Sequence, residues 1–168
     1  MPKIIENLDQ RLVAEARKQI EESGYGAVTI RSVAKGCGVG VGTVYNYFPS
    51  KDDLVASFMA ADWMLCLAAI TETSENTDDA LPVLRCIYDQ LCIFIKQHHS
   101  IIHDQGAAAG FAGSFSKYHG MLRGQLAAPL QKFCYNGFTA DFIAESMLVW
   151  TMNGKEFEQL YEVIKKLL

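Results

Sequence analysis

Four histidines and five cysteines are the side chains of this sequence best suited to metal ligation or nucleophilic chemistry. His99 and His103 stand four apart and would share a helical face, with Asp104 beside them. No HExxH pattern accompanies them, and His98 and His119 add no ligand spacing, so no metal is expected. Cys37, Cys66, Cys86, Cys92 and Cys134 contain no Cys-x2-Cys pair. Their expected role is reduced, apolar packing. No nucleophile elbow or other catalytic motif appears, so no catalytic residue, no enzyme activity and no cofactor are assigned.

The remaining candidate is Gly36–Phe48, "GCGVGVGTVYNYF", with glycine at every second position and then a knot of aromatics. A dinucleotide loop needs Gly-x-Gly-x-x-Gly after a strand. Starting from Gly36, Gly38 or Gly40, the third glycine position holds Val41, Thr43 or Tyr45. The P-loop pattern fails as well. Two short helices joined by a glycine-containing turn fit instead, which is the build of a helix-turn-helix. Charge agrees: the chain carries a net charge of −4, yet between Glu22 and Asp52 there is no acidic residue. Arg31, Lys35 and Lys51 lie in that gap, a local sign that suits a polyanion.

The elements that must position this segment read as helices throughout. Ile5, Leu8, Leu12, Ala16 and Ile20 recur at helical spacing, and Gly24 is expected to stop that helix. Thr29 is the expected N-cap of a helix to about Lys35, burying Ile30, Val33 and Ala34. Gly38 should turn the chain in a left-handed conformation, and a second short helix should run from Gly40 or Val41 to before Pro49. "SKDD" at Ser50–Asp53 resembles a capping box opening a helix to about Thr73. Its expected apolar side is Leu54, Phe58, Ala61, Leu65 and Ala68/Ala69. Further helices are expected over about 79–98, bent over 101–133, then over 139–152 and 155–167, separated at Asn136-Gly137 and Asn153-Gly154. No uninterrupted apolar run reaches 18 residues, so no membrane span is expected, and the N-terminus has no signal-peptide pattern. A cytoplasmic location follows as an expectation.

Thr29–Leu54, "TIRSVAKGCGVGVGTVYNYFPSKDDL", resembles the DNA-binding segment of the tetracycline-repressor (TetR/AcrR) family. The carrying residues are Thr29, Val33/Ala34, Gly38-Val39, Gly42, Val44, Tyr45, Phe48, Lys51 and Leu54, with "EESGYGAVTI" before them. Two positions depart from that pattern. Gly40 replaces a serine or threonine cap, and Cys37 replaces alanine. The resemblance implies an all-α fold, with a three-helix helix-turn-helix domain over 1–55 and a helical effector-binding and dimerisation domain over 56–168. It implies a dimeric regulator, in the first instance a repressor, released from a pseudo-palindromic double-stranded DNA operator by a small hydrophobic effector. Alternatives are an adaptor whose C-terminal domain binds a protein, and a Cys/His-dependent enzyme.

By the same resemblance Val41, Gly42 and Thr43 face base edges, and Tyr45 and Tyr47 touch the sugar-phosphate strand. Asn46 lies near base or backbone, while Thr29, Arg31 and Lys51 clamp phosphates. Read from the residues alone, Phe48 belongs to the core and Tyr45 stands between packing and phosphate contact. For an effector pocket the candidates are Trp63, Met64, Tyr88, Phe94, Phe111, Phe115, Tyr118 and Trp150, all of which could instead be core. The segment 139–152 is apolar nearly all round, and a second stripe follows it. Ile143, Met147, Trp150, Phe157, Leu160, Tyr161 and Ile164 are therefore the expected dimer interface.

Overall fold

The computed structural model describes residues 7–104 and 115–168, and for 115–118 the backbone alone. Among the described residues every regular element is a helix. These are α1 (Leu8–Ser23), a 3-10 turn at Tyr25–Ala27, α2 (Ile30–Cys37), α3 (Val41–Tyr45) and α4 (Lys51–Glu75). Then come α5 (Ala80–Gln97), α6 (His99–Ile102), α7 (Phe115–Ala127), a 3-10 stretch at Ala128–Phe133, α8 (Gly137–Met152) and α9 (Phe157–Ile164).

The chain divides into two compact units. The first takes the chain up to Ala61 together with the segment that begins at His98. Its core gathers Leu12, Ala16 and Ile20 of α1, Ile30, Val33 and Ala34 of α2, Val44 of α3 and Leu54, Val55 and Phe58 of α4. Of the apolar stripes predicted for α1 and α2, Leu8, Leu12, Ala16, Ile20, Ile30, Val33 and Ala34 are buried, and Ile5 lies outside the described residues. Ile101 of α6 joins this core, and the buried ring of His98 stacks on Phe58 at 5.9 Å. The sequence pattern does not announce this return of a distant segment.

The second unit takes Asp62–Gln97 and the C-terminal segment to Leu168. Trp63, Cys66 and Ile70 of α4 pack with Val83, Leu84, Ile87 and Leu91 of α5. Ala140, Ile143, Ala144 and Met147 of α8 complete the layer with Phe157, Leu160 and Ile164 of α9. Polar ties hold the ends. Lys132 donates to the carbonyls of Ser74 and Thr77, where α4 runs out of partners for its last carbonyls. Asn136 caps α8 by accepting from the Thr139 N–H at 2.9 Å.

One expectation is corrected by this packing. The inward face of α4 in the second unit is Trp63, Cys66 and Ile70, whereas Leu65 is 72% exposed and Ala61 and Ala68 face solvent with it. An almost wholly apolar helix carries no sequence signal for its own orientation. By length and composition α4 could also cross a membrane (mean hydropathy 1.8), although no uninterrupted apolar run suggested it. In this fold its apolar residues serve two protein cores.

Candidate nucleic-acid interface

The local chemistry of residues 29–53 builds the segment step by step. Thr29 is extended at φ −136°, ψ 156°, and its hydroxyl accepts from the Ser32 N–H at 3.0 Å. The Ser32 hydroxyl in turn accepts from the Thr29 N–H at 3.0 Å, closing a reciprocal cap on α2. A cap of this kind contributes about 1 kcal/mol. At the other end Gly38 is left-handed at φ 68°, where a side chain would strain the turn. Val39 follows it into the edge of the core, and α3 restarts at Val41. Gly40 occupies the cap position with ordinary φ −71°, ψ 147° and no side-chain bond, so the missing hydroxyl cap is real.

A polar network braces α2 against α1. The Gln19 amide donates to the Ser32 carbonyl at 3.1 Å and to the Glu15 carboxylate at 2.7 Å, while the Ser32 hydroxyl donates to the Gln19 side-chain oxygen at 2.6 Å. Arg11 donates to the Cys37 carbonyl at 3.2 Å, supplying a partner at the C-terminal end of α2. A Cβ at Gly36 would meet the end of the Glu15 side chain, which would have to swing aside.

On α3, Val44 is fully buried and Phe48 is half-buried against the same core, as its spacing predicted. Tyr45 is 52% exposed and Tyr47 47%, and Gly42 and Asn46 face solvent beside them. A Cβ built on Gly42 meets nothing within 4 Å. Nothing among the described residues requires a glycine there.

Two open surface depressions flank α3. The first, about 510 Å³, brings together Thr29, Arg31, Val41, Tyr45, Ser50 and Lys51. The starts of α2 and α4 both line it. Each presents a capping hydroxyl, for Ser50 accepts from the Asp53 N–H at 3.1 Å as Thr29 does from Ser32. Two helix N-termini, two hydroxyls, a guanidinium and an ammonium thus line one hollow, and Asp52 and Asp53 stand in the first turn of α4. The second depression, about 480 Å³, is lined by Tyr47 and Phe48 with Asp9, Gln10, Val13 and Arg17 of α1. The described structure thus gathers Thr29, Arg31, Val41, Tyr45 and Lys51 on one side of α3 and places Tyr47 on the other.

Sequence reasoning missed what holds Lys51. Its ammonium lies 3.8 Å over the Tyr25 ring and donates to the Tyr25 carbonyl at 3.1 Å. Tyr25 is buried, and its hydroxyl donates to the Asp52 carboxylate. Burial first, and then that bond, push the Tyr25 hydroxyl pKa far above its ordinary value. The preceding "GYG" carries the aromatic, but no local pattern pairs it with Lys51.

The match with known proteins falls on the same segment. Residues 12–58 fit the model of the bacterial regulatory proteins of the tetR family. Over these residues the chain carries a DNA-binding segment of the tetR type. The regulator HbdR of Aromatoleum sp. (strain CIB) is 35% identical to it over 54 residues, which are 32% of this chain and 24% of that protein. The chain therefore spans about a quarter of the length of that relative. Among solved structures, the transcriptional regulator SCO7518 of Streptomyces coelicolor superposes with a TM-score of 0.69 at 16% identity, covering 94% of this chain and 96% of the other. FadR of Bacillus subtilis, solved in complex with stearoyl-CoA, gives 0.55 at 17% identity, with 94% and 96% covered. At these identities the likeness is one of fold: the chain shares the all-helical architecture along most of its length.

The second unit treats its candidates differently. Trp63 is buried, donates to the Gln125 side-chain oxygen at 2.7 Å and meets Phe94 edge-on at 5.4 Å. Tyr88 donates to the Lys155 carbonyl at 3.1 Å and stands edge-on to Phe157. These three are engaged in the unit's own packing, while Met64 points to solvent. Phe111 lies outside the described residues, as do the side chains of Phe115 and Tyr118. Of the expected interface, Ile143, Met147, Phe157, Leu160 and Ile164 are enclosed in the chain's own core and Tyr161 packs at its edge. The five enclosed side chains leave little surface for a partner, while Tyr161 is partly exposed. Trp150 remains 48% exposed on α8, as do Phe138 (78%) and Phe142 (49%), whose rings are neighbours at 6.4 Å.

Proposed function

We propose that this protein is a TetR-family DNA-binding transcriptional regulator whose α3 enters the major groove of an operator. The carrying observation is the first depression beside α3. Thr29, Arg31, Ser50 and Lys51 surround it at the starts of two helices, next to the solvent-facing Val41–Asn46 segment. Thr29, Arg31, Tyr45 and Lys51 hold phosphates of one strand, and Tyr47 those of the other. Val41, Gly42, Thr43 and Asn46 face bases. Lys51 has three donors and spends one on Tyr25, so it can bind a phosphate without leaving its platform.

The regulator acts as a cytoplasmic homodimer and a repressor, with Phe138, Phe142 and Trp150 of α8 covered by a second copy. Exposure of three large aromatic side chains on one helix supports this. A small apolar effector acting on the second unit completes the reading. Support comes from the apolar make-up of that unit and from the similarly folded FadR, solved with stearoyl-CoA. An effector reaching Trp63 must displace its bond to Gln125, so indole fluorescence reports entry.

Gel shifts of the full chain across a salt series test the proposal. Affinity should fall steeply with salt, and Lys51→Ala should lower the slope of log K against log salt by about one. Tyr47→Ala should weaken binding while leaving the melting temperature close to the parent's. A parent that ignores duplex DNA at low salt, or variants that bind like the parent, would refute it.

A further inference from the structure

We infer that His99 and His103 form a two-imidazole clamp that takes a divalent transition ion of tetragonal preference, Ni²⁺ or Cu²⁺, on the outer side of α6. The clamp is independent of the DNA-binding reading, and its test uses no DNA.

The turn that carries the pair is anchored. Ile101 is buried in the first core, and the buried His98 ring stacks on Phe58 at 5.9 Å. The His103 N–H donates to the His99 carbonyl at 3.1 Å, closing an α-turn between the two histidines. Side chains four apart on such a turn are neighbours. Both histidines are exposed, and their ring centroids stand 4.4 Å apart with the planes tilted by 46°. An anchored backbone spares an ion much of the ordering that two mobile histidines would cost.

The spacing carries no metal motif, and it is the placement of the rings that points to an ion. A ring nitrogen bonded at about 2.0–2.1 Å puts the ring centre about 3.2 Å from the metal. Two such rings at a right angle have centres about 4.5 Å apart, and at a tetrahedral angle about 5.2 Å. The observed 4.4 Å fits the right angle, the cis arrangement of tetragonal Ni²⁺ and Cu²⁺ sites. Imidazole suits both ions, and both stand high in the affinity order of divalent first-row metals. Among the described residues no third histidine, cysteine or carboxylate completes a larger ligand group. Asp104, next in the chain, has a carboxylate oxygen 3.6 Å from where a Cβ on Gly26 would stand. The clamp thus supplies two ligands and leaves the other positions to water.

The test is equilibrium dialysis of Ni²⁺ against the full, metal-free chain without an affinity tag, beside His99→Asn, His103→Asn and His119→Asn. Losing an outer-shell partner costs a metal site about 10- to 100-fold in affinity, and losing one of two ligands should cost at least as much. His119 lies in the other unit, so its variant should bind Ni²⁺ like the parent. Because His99 and His103 are exposed, their variants should melt like the parent without metal. Added Ni²⁺ should then raise the melting temperature of the parent and of His119→Asn, and leave the other two unmoved. Zn²⁺, which prefers a tetrahedron, should bind the parent more weakly than Ni²⁺. A parent that takes no Ni²⁺, binding that survives in either α6 variant, an equal loss in His119→Asn, or tighter binding of Zn²⁺ would each overturn the inference.

Discussion

Residues 36–48 and helix α8 pose the same question in opposite ways: which residue choices does the chain's own packing explain? On α8 it explains Ala140, Ile143, Ala144 and Met147, which fill the second core, and leaves Phe138, Phe142 and Trp150 without cover. In the turn segment it explains Gly38, held at φ 68°. It does not explain Gly42, whose surroundings are open, nor the exposed Tyr45 and Tyr47. A residue costly to its own fold and unexplained by it points outward. In one region the surplus is aromatic, which the proposed dimer would cover; in the other it is a missing side chain beside Arg31 and Lys51, which the proposed DNA contact would use.

The largest effect that can break this contrast is on α8. Met147→Ala should cost about 2–5 kcal/mol in urea unfolding, because a fully enclosed side chain leaves a cavity. Phe142→Ala on the same helix should stay within about 0.5 kcal/mol at low concentration while shifting sedimentation toward monomer. Equal losses in the two variants would erase the distinction between inner and outer face. Next in size is Gly38→Ala, which forces a side chain into the left-handed region and should cost about 1–2 kcal/mol. An unchanged melting temperature would mean that the turn is not built as described.

A smaller effect sharpens the account of Lys51 and its platform. Tyr25 has its pKa raised by burial and by its bond to Asp52, so its neutral form is the one the fold favours. The stability it contributes is full below its ordinary value of 10.0 and is lost as pH rises beyond that. Alkaline melting above pH 10 should therefore begin in the first unit, and Tyr25→Phe should flatten that limb. A profile identical in parent and variant would remove Tyr25 from the explanation.

The first unit was legible because its instructions are local. Thr29 and Ser50 announce helix starts, Gly38 announces the turn, and the stripe Leu8, Leu12, Ala16, Ile20 has a polar opposite face to orient it. The second unit was less so, because orientation there is a tertiary matter. Trp63, Met64, Leu65 and Cys66 follow one another on α4, and only the partners across the core decide that Trp63 and Cys66 turn inward. The same ambiguity on α8 put Ile143 and Met147 in the expected interface and left Phe138 and Phe142 out. The packing of Ile101 with α1, α2 and α4 residues, and the capture of Lys51 by Tyr25, join positions far apart in the chain without a motif.

Gly42 decides the central claim, since it separates the demands of the fold from those of a partner. Melting temperature and duplex affinity should be measured together in Gly42→Ala. Alanine suits a helix better than glycine by about 1 kcal/mol and meets no neighbour here, so the variant should melt no lower than the parent. Its affinity for duplex DNA should nevertheless fall at least tenfold, because the new methyl stands between backbone and DNA. A variant that gains stability and binds DNA as tightly as the parent would show that α3 does not approach a groove at this residue.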